Sequence, residues 1–331
     1  MKLIKPSFTI IEQGPGIEGI YKQIELAGRT CYKSEDKIIE SSAKDFVDRM
    51  IKSGHGAMLE HGTVYLTIPD REPDEFGRMD YGNVGVGNYA GNKYSRVTYQ
   101  NYYQEPNETQ KDYCSKIPRT TTYVTTNLRV LVENGWMDDL KYLSDPTEHH
   151  ERRRTVRFTC DRGVTHEFVR HRVFSFAQES TRYCNYLKDK FGNEITCILP
   201  PWIDENDPHL KAGINYTEDP WGKCLLEYYY KISPQGAEEG MDVNPTRTFV
   251  TALEHSEQLY FSLIENGWKA QEARAVLPNA IKAELVMTGF DSDWKHFFDL
   301  RCANSAHPQA RELAQPLQDE FIKRNYILWE K

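Results

Sequence analysis

The sequence predicts an α+β fold: a central, mainly antiparallel sheet flanked by helices, with a large insertion. Two observations support this prediction. Segments that alternate like strands are interspersed with segments that have the spacing of amphipathic helices, without the regular alternation of a parallel α/β protein. No linker rich in Pro, Ser or Gly divides the chain. We therefore expect one domain over residues 1–331, with an insertion at about residues 70–152.

The first half of the chain predicts strands and short helices. In residues 41–54 (SSAKDFVDRMIKSG), Phe46 and Met50 lie on one helical face and Gly54 is a stop signal. The other elements expected in this half are a strand at 61–68, an irregular loop at 70–118, a strand at 120–126, a short helix at 127–136, a strand at 156–162 and a helix at 165–175.

The second half predicts mainly helices. Pro245 and Gly267 mark the first turn and the end of the longest one, because proline favours the start of a helix and glycine its C-terminal cap. Residues 123–136 and 286–298 share an order of strand, small polar turn and helix, which we interpret as a recurring supersecondary unit rather than as a duplication. The expected elements are helices at 221–232, 244–267 and 269–278, a strand at 281–288, and helices at 292–301 and 306–324.

Composition excludes several classes of protein. The chain has 39% hydrophobic and 27% charged residues, as soluble globular proteins do, and its net charge of -8 argues against a general nucleic-acid binder. Residues 1–16 lack the apolar run of a signal peptide, and no apolar window approaches the length of a membrane span. Seven cysteines without a C-x-x-C pair indicate free thiols in a reducing compartment, so we expect a cytoplasmic protein.

Residues 170–183 (RHRVFSFAQESTRY) combine arginine with aromatic side chains. Eight arginines and no lysine lie between residues 152 and 182, which indicates bidentate binding of phosphate or carboxylate. The aromatic side chains add flat apolar faces. A run of solvated charge explains residues 152–154 better than it explains Arg170, Arg172 or Arg182. On one helix Arg170 and Arg172 would point about 200° apart, which favours two ligands or one ligand per subunit at an interface.

Other patterns carry less chemistry. GVGNYA (85–90) fits a dinucleotide-binding pattern, but no strand is expected before it and no helix after it. The histidines lack zinc-ligand spacing, so no metal site is expected. Cys184 has no identified base and is interpreted as a buried apolar residue rather than as a nucleophile.

Several sequence blocks resemble the flavin-dependent thymidylate synthase family. R-H-R followed by seven residues and a serine, here Arg170 to Ser180, resembles the signature of that family, and STRY (180–183) continues it. The other blocks stand in the family's order and span most of the chain: AGRTCYKS (27–34), GHGAMLEHGTVYL (54–66), THEFVRHRVFS (165–175), EARAVLPNA (272–280) and WKHFFDLRCANSAHPQARELA (294–314).

This resemblance implies a reaction and its ligands. Members of the family convert dUMP to dTMP, with methylenetetrahydrofolate as carbon donor, NADPH as reductant and FAD as redox centre. Their active sites lie between the subunits of a homotetramer, so the resemblance implies a homotetramer with shared sites. Flat rings and phosphates would account for the aromatic and arginine side chains at 170–183. No nucleic-acid or membrane partner is expected.

The resemblance also implies residue roles. Arg301 would polarise the uracil ring, and Ser180 would bind dUMP rather than act as a nucleophile, since no general base is evident beside it. The alternatives are structural roles, in which Arg274 caps a helix and Glu60 pairs with His61. The implied dUMP contacts are Glu167, Arg170, Gln178, Glu179, Ser180, Thr181, Arg182, Arg274 and Arg301. The implied FAD contacts are His55, Glu60, Arg170, His171, Arg172 and His296.

The chain departs from the family pattern in two places. An Asn-x-Arg that contacts FAD in many members is replaced by residues 290–292 (FDS). Asn127 and Arg129, in TTNLR, have a similar strand-to-helix setting, so we hypothesise that they supply the missing FAD contact. The insertion also places far more residues between the blocks at His61 and Arg170 than compact members have.

Two other classes of function stay open. An RNA- or nucleotide-binding module built on arginine and aromatic side chains would explain residues 170–183, but not the separate EARAVLP and DLR blocks. A flavoprotein oxidoreductase that has lost methylation is disfavoured by the presence of Arg182 and Arg274, the two arginines expected on the nucleotide side.

Overall fold

Strands and helices follow one another irregularly, and the α+β class is confirmed. The computed structural model describes residues 1–69, 86–104, 117–188, 192–218, 224–232 and 244–327. The strands are β1 (Lys2–Ile4), β2 (Ser7–Ile11), β3 (Thr63–Ile68), β4 (Arg96–Gln104), β5 (Ile117–Asn127), β6 (Arg153–Asp161), β7 (Ser175–Gln178), β8 (Thr196–Ile198), β9 (Leu210–Glu218), β10 (Cys224–Ile232) and β11 (Lys282–Phe290). The helices are α1 (Gly16–Tyr32), α2 (Ser42–Lys52), α3 (Gly56–Leu59), α4 (Val86–Ala90), α5 (Leu128–Asn134), α6 (Arg162–Phe168), α7 (Pro245–Glu265), α8 (Ala270–Ala273), α9 (Asp291–Arg301) and α10 (Pro308–Lys323).

The described strands form three sheets. Their strand orders are β8-β1-β10-β9, β2-β6-β11-β7 and β3-β5-β4. Pairing is antiparallel throughout these sheets except between β1 and β8, which run parallel. Within the described ranges, no helix combines the length and the apolar character that crossing a membrane would need.

The sheet β2-β6-β11-β7 carries the main aromatic core. Strand β11 lies between β6 and β7 and is buried from Leu285 to Phe290, as expected for an inner strand covered by helices. Trp294 and Phe297 of α9 pack on Phe158 of β6, and Phe321 of α10 closes the cluster. Because these rings are buried, α9 has a fixed position on the sheet. The last residue of α9 is Arg301, so the core also positions that arginine.

A second core lies between the N-terminal helices and the sheet β3-β5-β4. Ile24 of α1, Val47 of α2, Leu66 of β3 and Val124 of β5 are fully buried in it. Gly28 lets α1 approach α2 closely, because a side chain there would overlap the Phe46 ring. This core holds the C-terminal end of α1 beside the candidate site.

The fold contains the same corner twice. We call β3, β5 and α5 the first corner, and β6, β11 and α9 the second. In the first, Asn127 pairs with Thr63 at the end of β5, and the next N–H, on Leu128, donates to Gly62 O at 2.9 Å. The order of strand, turn and helix that residues 123–136 and 286–298 share in sequence therefore corresponds to a recurring strand-to-helix unit in the structure.

The second corner repeats this geometry in detail. Phe290 pairs with Arg153 at the end of β11, and the next N–H, on Asp291, donates to Arg152 O at 2.9 Å. The two corners differ at the helix cap, where the first has Asn127 and the second has Phe290.

A buried polar seam joins the two corners. His61 Nδ1 lies 2.8 Å from the Thr288 hydroxyl, and Arg153 donates to Glu60 O at 3.0 Å and to the Ser175 hydroxyl at 3.1 Å. Burial lowers the pKa of Arg153 to about 10, although Tyr65 and acidic neighbours favour its charge. The prediction that residues 152–154 form a solvated run is wrong, because Arg153 reaches into the interior of the protein.

Most predicted elements are confirmed. Their boundaries agree closely because the capping residues lie where the sequence indicates, for example Asn127 at α5 and Asn244 at α7. The confirmed predictions are the helices at 41–54, 127–136, 244–267, 269–278, 292–301 and 306–324, and the strands at 61–68, 120–126, 156–162 and 281–288.

Three predictions are wrong. The helix expected at 221–232 is wrong over its described part, because residues 224–232 form β10, which pairs with β9 over its whole length; three consecutive tyrosines favour a strand. The irregular loop expected at 70–118 contains α4 and β4 in its described part. Strand β4 forms because it pairs with β5. The helix expected at 165–175 stops early, for a reason that bears on the site.

Candidate active site

Helix α6 ends before the R-H-R sequence. Asp161 caps its N-terminus by accepting a 2.7 Å hydrogen bond from a backbone N–H of the first turn. The chain then turns at residues 169–174 and continues as β7, whose pairing with β11 competes with further helix. The helix prediction up to residue 175 is therefore wrong, and the argument that put Arg170 and Arg172 on opposite helical faces does not hold.

Three arginines lie exposed around this turn and the loop that follows β7. Within the described ranges, neither Arg170 nor Arg172 has a hydrogen bond or ion pair. The Arg182 guanidinium lies 5.6 Å from the ring centre of Tyr183, which is 58% exposed. Unpaired guanidinium groups next to an open aromatic face suit a ligand with both phosphate and ring.

Arg301 is held by two of the residues predicted to share its site. Its Nε donates to His171 Nε2 at 3.0 Å, and its terminal nitrogens donate to the Glu167 carboxylate at 2.7 Å and to Glu167 O at 2.5 Å. A guanidinium has five N–H donors, so one N–H on each terminal nitrogen remains for a ligand. We call Arg301, Glu167, His171 and His296 the Arg301 group.

His171 is neutral in this group. Burial, the Arg301 cation and His296 lower the pKa of His171 to about 4. Because its Nε2 accepts the hydrogen bond from Arg301, the ring proton belongs on Nδ1. The His296 ring lies 6.2 Å from the His171 ring, centre to centre. The group therefore offers an oriented cation beside two imidazoles.

Residues 178–183, which we call the 180 loop, gather the predicted dUMP contacts. Gln178 Nε2 donates to the Thr165 hydroxyl at 2.9 Å, which ties the loop to α6. Arg274 Nη1 donates to the Thr181 hydroxyl at 3.3 Å, which brings the EARAVLP block to the STRY block. Arg274 is also the C-cap residue of α8, as the structural alternative expected, but its backbone N–H makes that cap and its guanidinium contacts Thr181.

Ser180 lacks the partners of a nucleophile. Its hydroxyl accepts a 3.4 Å hydrogen bond from the backbone N–H of Arg182, and its own N–H donates to Cys31 O at 3.0 Å. Among the described residues, no histidine or carboxylate is hydrogen-bonded to its hydroxyl. This geometry fits a ligand-binding loop rather than an activated serine.

Glu179 points into the protein rather than toward the open side of the loop. The residue is 3% exposed, and its carboxylate accepts hydrogen bonds from Lys282 Nζ at 2.9 Å and from the N–H of Glu284 at 3.1 Å. Both bonds commit the carboxylate to the interior, and the contact of Glu179 with dUMP stays a prediction.

The block at residues 54–66 contributes a third group. His55 Nδ1 lies 3.3 Å from the Tyr32 hydroxyl, and the Tyr32 ring lies 5.8 Å from that of Tyr183. Glu60 forms an ion pair with Arg129, so the alternative that it pairs with His61 is wrong. We call His55, Glu60, Asn127 and Arg129 the His55 group. Tyr32 connects it to the 180 loop.

Arg129, from the insertion, therefore contacts the block at residues 54–66, whereas Asn127 has a structural task. Its side-chain oxygen accepts a 3.1 Å hydrogen bond from Val130 N and caps α5, and the residue is 1% exposed. Arg129 also donates to Glu133 at 2.7 Å and keeps about a third of its side chain exposed. Of the two, Arg129 is the one open to a ligand.

Sequence reasoning missed three residues that shape these groups. Tyr32 lies inside the AGRTCYKS block, so it could have been singled out as an aromatic neighbour of Tyr183. Lys282 and Arg153 carry no local signal, because their partners lie far away in the sequence.

The chain is similar to proteins of one known family. The family model described as thymidylate synthase complementing protein matches residues 93–324. A flavin-dependent thymidylate synthase of Mycolicibacterium gilvum is 28% identical over 236 residues, which cover 70% of this chain and 73% of that protein. Proteins of the same name from Corynebacterium diphtheriae and Pyrococcus furiosus are 31% and 29% identical over 153 and 168 residues.

The shared length varies among these relatives. The matches cover 46% and 51% of this chain and about half of each of the latter two proteins, 50% and 53%. Among solved structures, a UMP/dUMP methylase from Streptomyces cacaoi bound to 5-Br dUMP is 14% identical, covers 98% of this chain and 93% of its own, and has a TM-score of 0.38.

Proposed function

Because the chain belongs to the thymidylate synthase complementing protein family, we propose that it is a flavin-dependent thymidylate synthase. It methylates dUMP to dTMP, taking the carbon from methylenetetrahydrofolate and the reducing equivalents from NADPH through FAD. The names of the curated relatives support this assignment. The chain acts as one domain with an insertion at about 70–152 and works as a homotetramer with shared sites.

One observation carries the proposal. The 3.3 Å hydrogen bond from Arg274 to Thr181 joins two blocks that are far apart in the sequence, beside the exposed Arg182. Two exposed arginines that converge on one loop form a suitable site for a nucleotide phosphate. A general RNA-binding surface requires no such convergence of separate blocks on a single loop.

The 180 loop binds the phosphate of dUMP, and the Arg301 group faces its uracil. Arg301 has two N–H groups left to donate to the uracil ring. Its fixed positive charge favours the negative charge that develops on the ring during the reaction. His171 and Glu167 keep the guanidinium in one orientation, so the charge needs no rearrangement during the reaction. Ser180 binds substrate and does not attack it.

The residues present fit an FAD molecule. Its diphosphate needs cations, and Arg170 and Arg172 are exposed and unpaired within the described residues. Arg129, from the insertion, adds a third cation, with Glu60 beside it. When bound, FAD supplies the reducing equivalents that the reaction needs. His55 and His296 would lie on the flavin side of the site, and the exposed Tyr183 ring would offer the flavin an apolar face.

The test is a tritium-release assay. Purified protein is incubated with dUMP tritiated at C5, methylenetetrahydrofolate, NADPH and FAD, and tritium released to water is counted. We expect release that disappears when FAD or NADPH is omitted. Protein that shows a bound-flavin spectrum but no release would refute the proposal and favour a flavoprotein with other chemistry.

Two variants sharpen this assay. Arg274→Ala removes the cation that contacts Thr181, and we expect at least a tenfold rise in KM for dUMP, since a hydrogen bond between charged groups is worth about 1.5–3 kcal/mol. Arg49→Ala removes an exposed arginine from α2, outside all three groups, and serves as the matched control. Equal KM values for the two variants would contradict the assignment of Arg274.

A further inference from the structure

Four charged side chains form a buried network behind the 180 loop. Lys282 and Glu284 come from β11, Lys33 from the end of α1, and Glu179 from the loop itself. Lys282 Nζ lies 2.9 Å from the Glu179 carboxylate and 3.0 Å from that of Glu284. Lys33 Nζ lies 2.8 Å from the Glu284 carboxylate. Between 3% and 17% of each side chain is exposed, so water screens these pairs weakly.

Lys282 and Glu284 are both held in their charged forms. Although burial opposes it, Glu179 and Glu284 raise the pKa of Lys282 above its ordinary value. Burial likewise opposes ionisation of Glu284, but Lys282, Lys33 and Arg157 hold its pKa well below the usual range. The network is therefore a set of real ion pairs rather than a neutral hydrogen-bonded cluster.

Stability alone does not account for such a network. Buried ion pairs are often no more stabilising than apolar residues of the same volume, because the cost of removing the charges from water offsets their attraction. Removing one partner is nevertheless costly, since an unpaired charge is left behind. A network of this kind fixes where its members lie, and here one member belongs to the loop that gathers the dUMP contacts.

The backbone of the loop is bound at the same place. The N–H of Glu179 donates to Glu284 O at 2.8 Å, and the N–H of Ser180 donates to Cys31 O at 3.0 Å. Lys33 has a left-handed backbone, with φ of 48°, which is uncommon for a residue with a side chain and ends α1 at this point. Strand β11 and the end of α1 thus hold the loop from two sides.

We propose that Lys282, acting through Glu179 together with Glu284 and Lys33, is a positioning residue for the dUMP-binding loop. This inference rests on the proposed function. With Glu179 drawn inward, the loop presents the exposed Arg182 to the substrate phosphate, and the buried Thr181 hydroxyl holds Arg274 beside it. None of the network residues touches substrate.

The test compares Lys282→Met with Lys282→Arg. The methionine variant keeps the length of the side chain and loses the charge, whereas arginine can still pair with both carboxylates. Lys44→Met is the matched control, because Lys44 forms an exposed ion pair with Asp48 on α2, away from the site. Three quantities are measured on FAD-loaded protein: KM and kcat with dUMP, binding of dUMP by calorimetry, and amide hydrogen exchange.

We expect Lys282→Met to raise KM for dUMP about tenfold or more while kcat changes less than about threefold, because binding geometry is lost and the chemical groups remain. The amides of Glu179 and Ser180 should exchange at least about tenfold faster, and those of the β3–β5 ladder at an unchanged rate. Lys282→Arg and Lys44→Met should resemble the wild type in every measurement.

Each other outcome overturns a defined part of the inference. Unchanged exchange at Glu179 and Ser180 means that Lys282 does not hold the loop. Faster exchange with unchanged dUMP binding means that the held conformation does not serve the substrate. If the wild type itself fails to bind dUMP, the proposed function falls, while the exchange data still decide whether the ion pairs hold the loop. If Lys282→Met does not fold, Lys33→Met, at the outer end of the network, must produce smaller changes of the same kind.

Discussion

Acid should weaken this protein through one buried histidine in the seam between the two corners. His61 has no exposed surface, and its Nδ1 lies 2.8 Å from the Thr288 hydroxyl. Burial, and to a smaller extent the Arg153 cation, lower the pKa of His61 to about 3. In the unfolded chain the same imidazole has its ordinary pKa of 6.5.

The sign and size of the effect follow from these two pKa values. Between pH 6.5 and 3 the unfolded chain binds a proton at His61 that the folded chain does not bind, so falling pH favours unfolding. The free energy of unfolding should fall by about 1.4 kcal/mol per pH unit, and by no more than about 5 kcal/mol in total. Above pH 6.5 the contribution is complete and independent of pH.

Urea denaturation at pH 7, 6 and 5 measures this contribution. His61→Asn is the comparison, because its amide can still reach Thr288 and does not titrate. The loss of stability between pH 7 and 5 should be about 2 kcal/mol greater in the wild type than in the variant. Absolute stabilities are not compared, since the substitution also changes packing. Parallel pH profiles for the two proteins would refute the reasoning.

Three further predictions concern the site. Arg301→Lys keeps the charge but cannot replace three directed bonds to His171 and Glu167, so kcat in the tritium-release assay should fall about a hundredfold; full turnover would contradict the role of Arg301. Ser180→Ala should keep measurable turnover with weaker dUMP binding, and complete loss of activity with normal dUMP binding would make Ser180 more than a ligand. Arg129→Ala should raise the Kd for FAD in a flavin-fluorescence titration, and normal affinity would count against the insertion as an FAD contact.

The fold was predictable where local signals decide it. Asn244 and Pro245 mark the start of α7, and alternating side chains mark β3, as the structure confirms. Residues 224–232 were misjudged because a run of apolar and aromatic side chains fits either a helix or a strand, and pairing with β9 decides between them. That partner directly precedes β10 in the chain, but residues 210–218 were not recognised as a strand from the sequence, so the pairing was not foreseen.

The site was predictable to the extent that motifs carry it. The blocks of sequence that resemble the family were enough to name Arg301, Ser180 and Arg274. The inward orientation of Glu179 could not be predicted, because it depends on Lys282, which lies just outside the EARAVLPNA block. The solvated interpretation of Arg153 failed for the same reason. Whether a charged side chain is buried depends on the groups that three-dimensional packing supplies to it.

The repeated corner has a consequence for the order in which the protein can form. The first corner is complete once residue 134 has been synthesised, whereas β6 of the second corner must wait for β11, at residues 282–290. Because contacts between distant segments form late, the N-terminal core can be folded on the ribosome before the site exists. Arg274, Lys282 and Arg301 all arrive in this last stretch of chain. A nascent chain should therefore gain its first stable core well before it gains any capacity to bind a nucleotide.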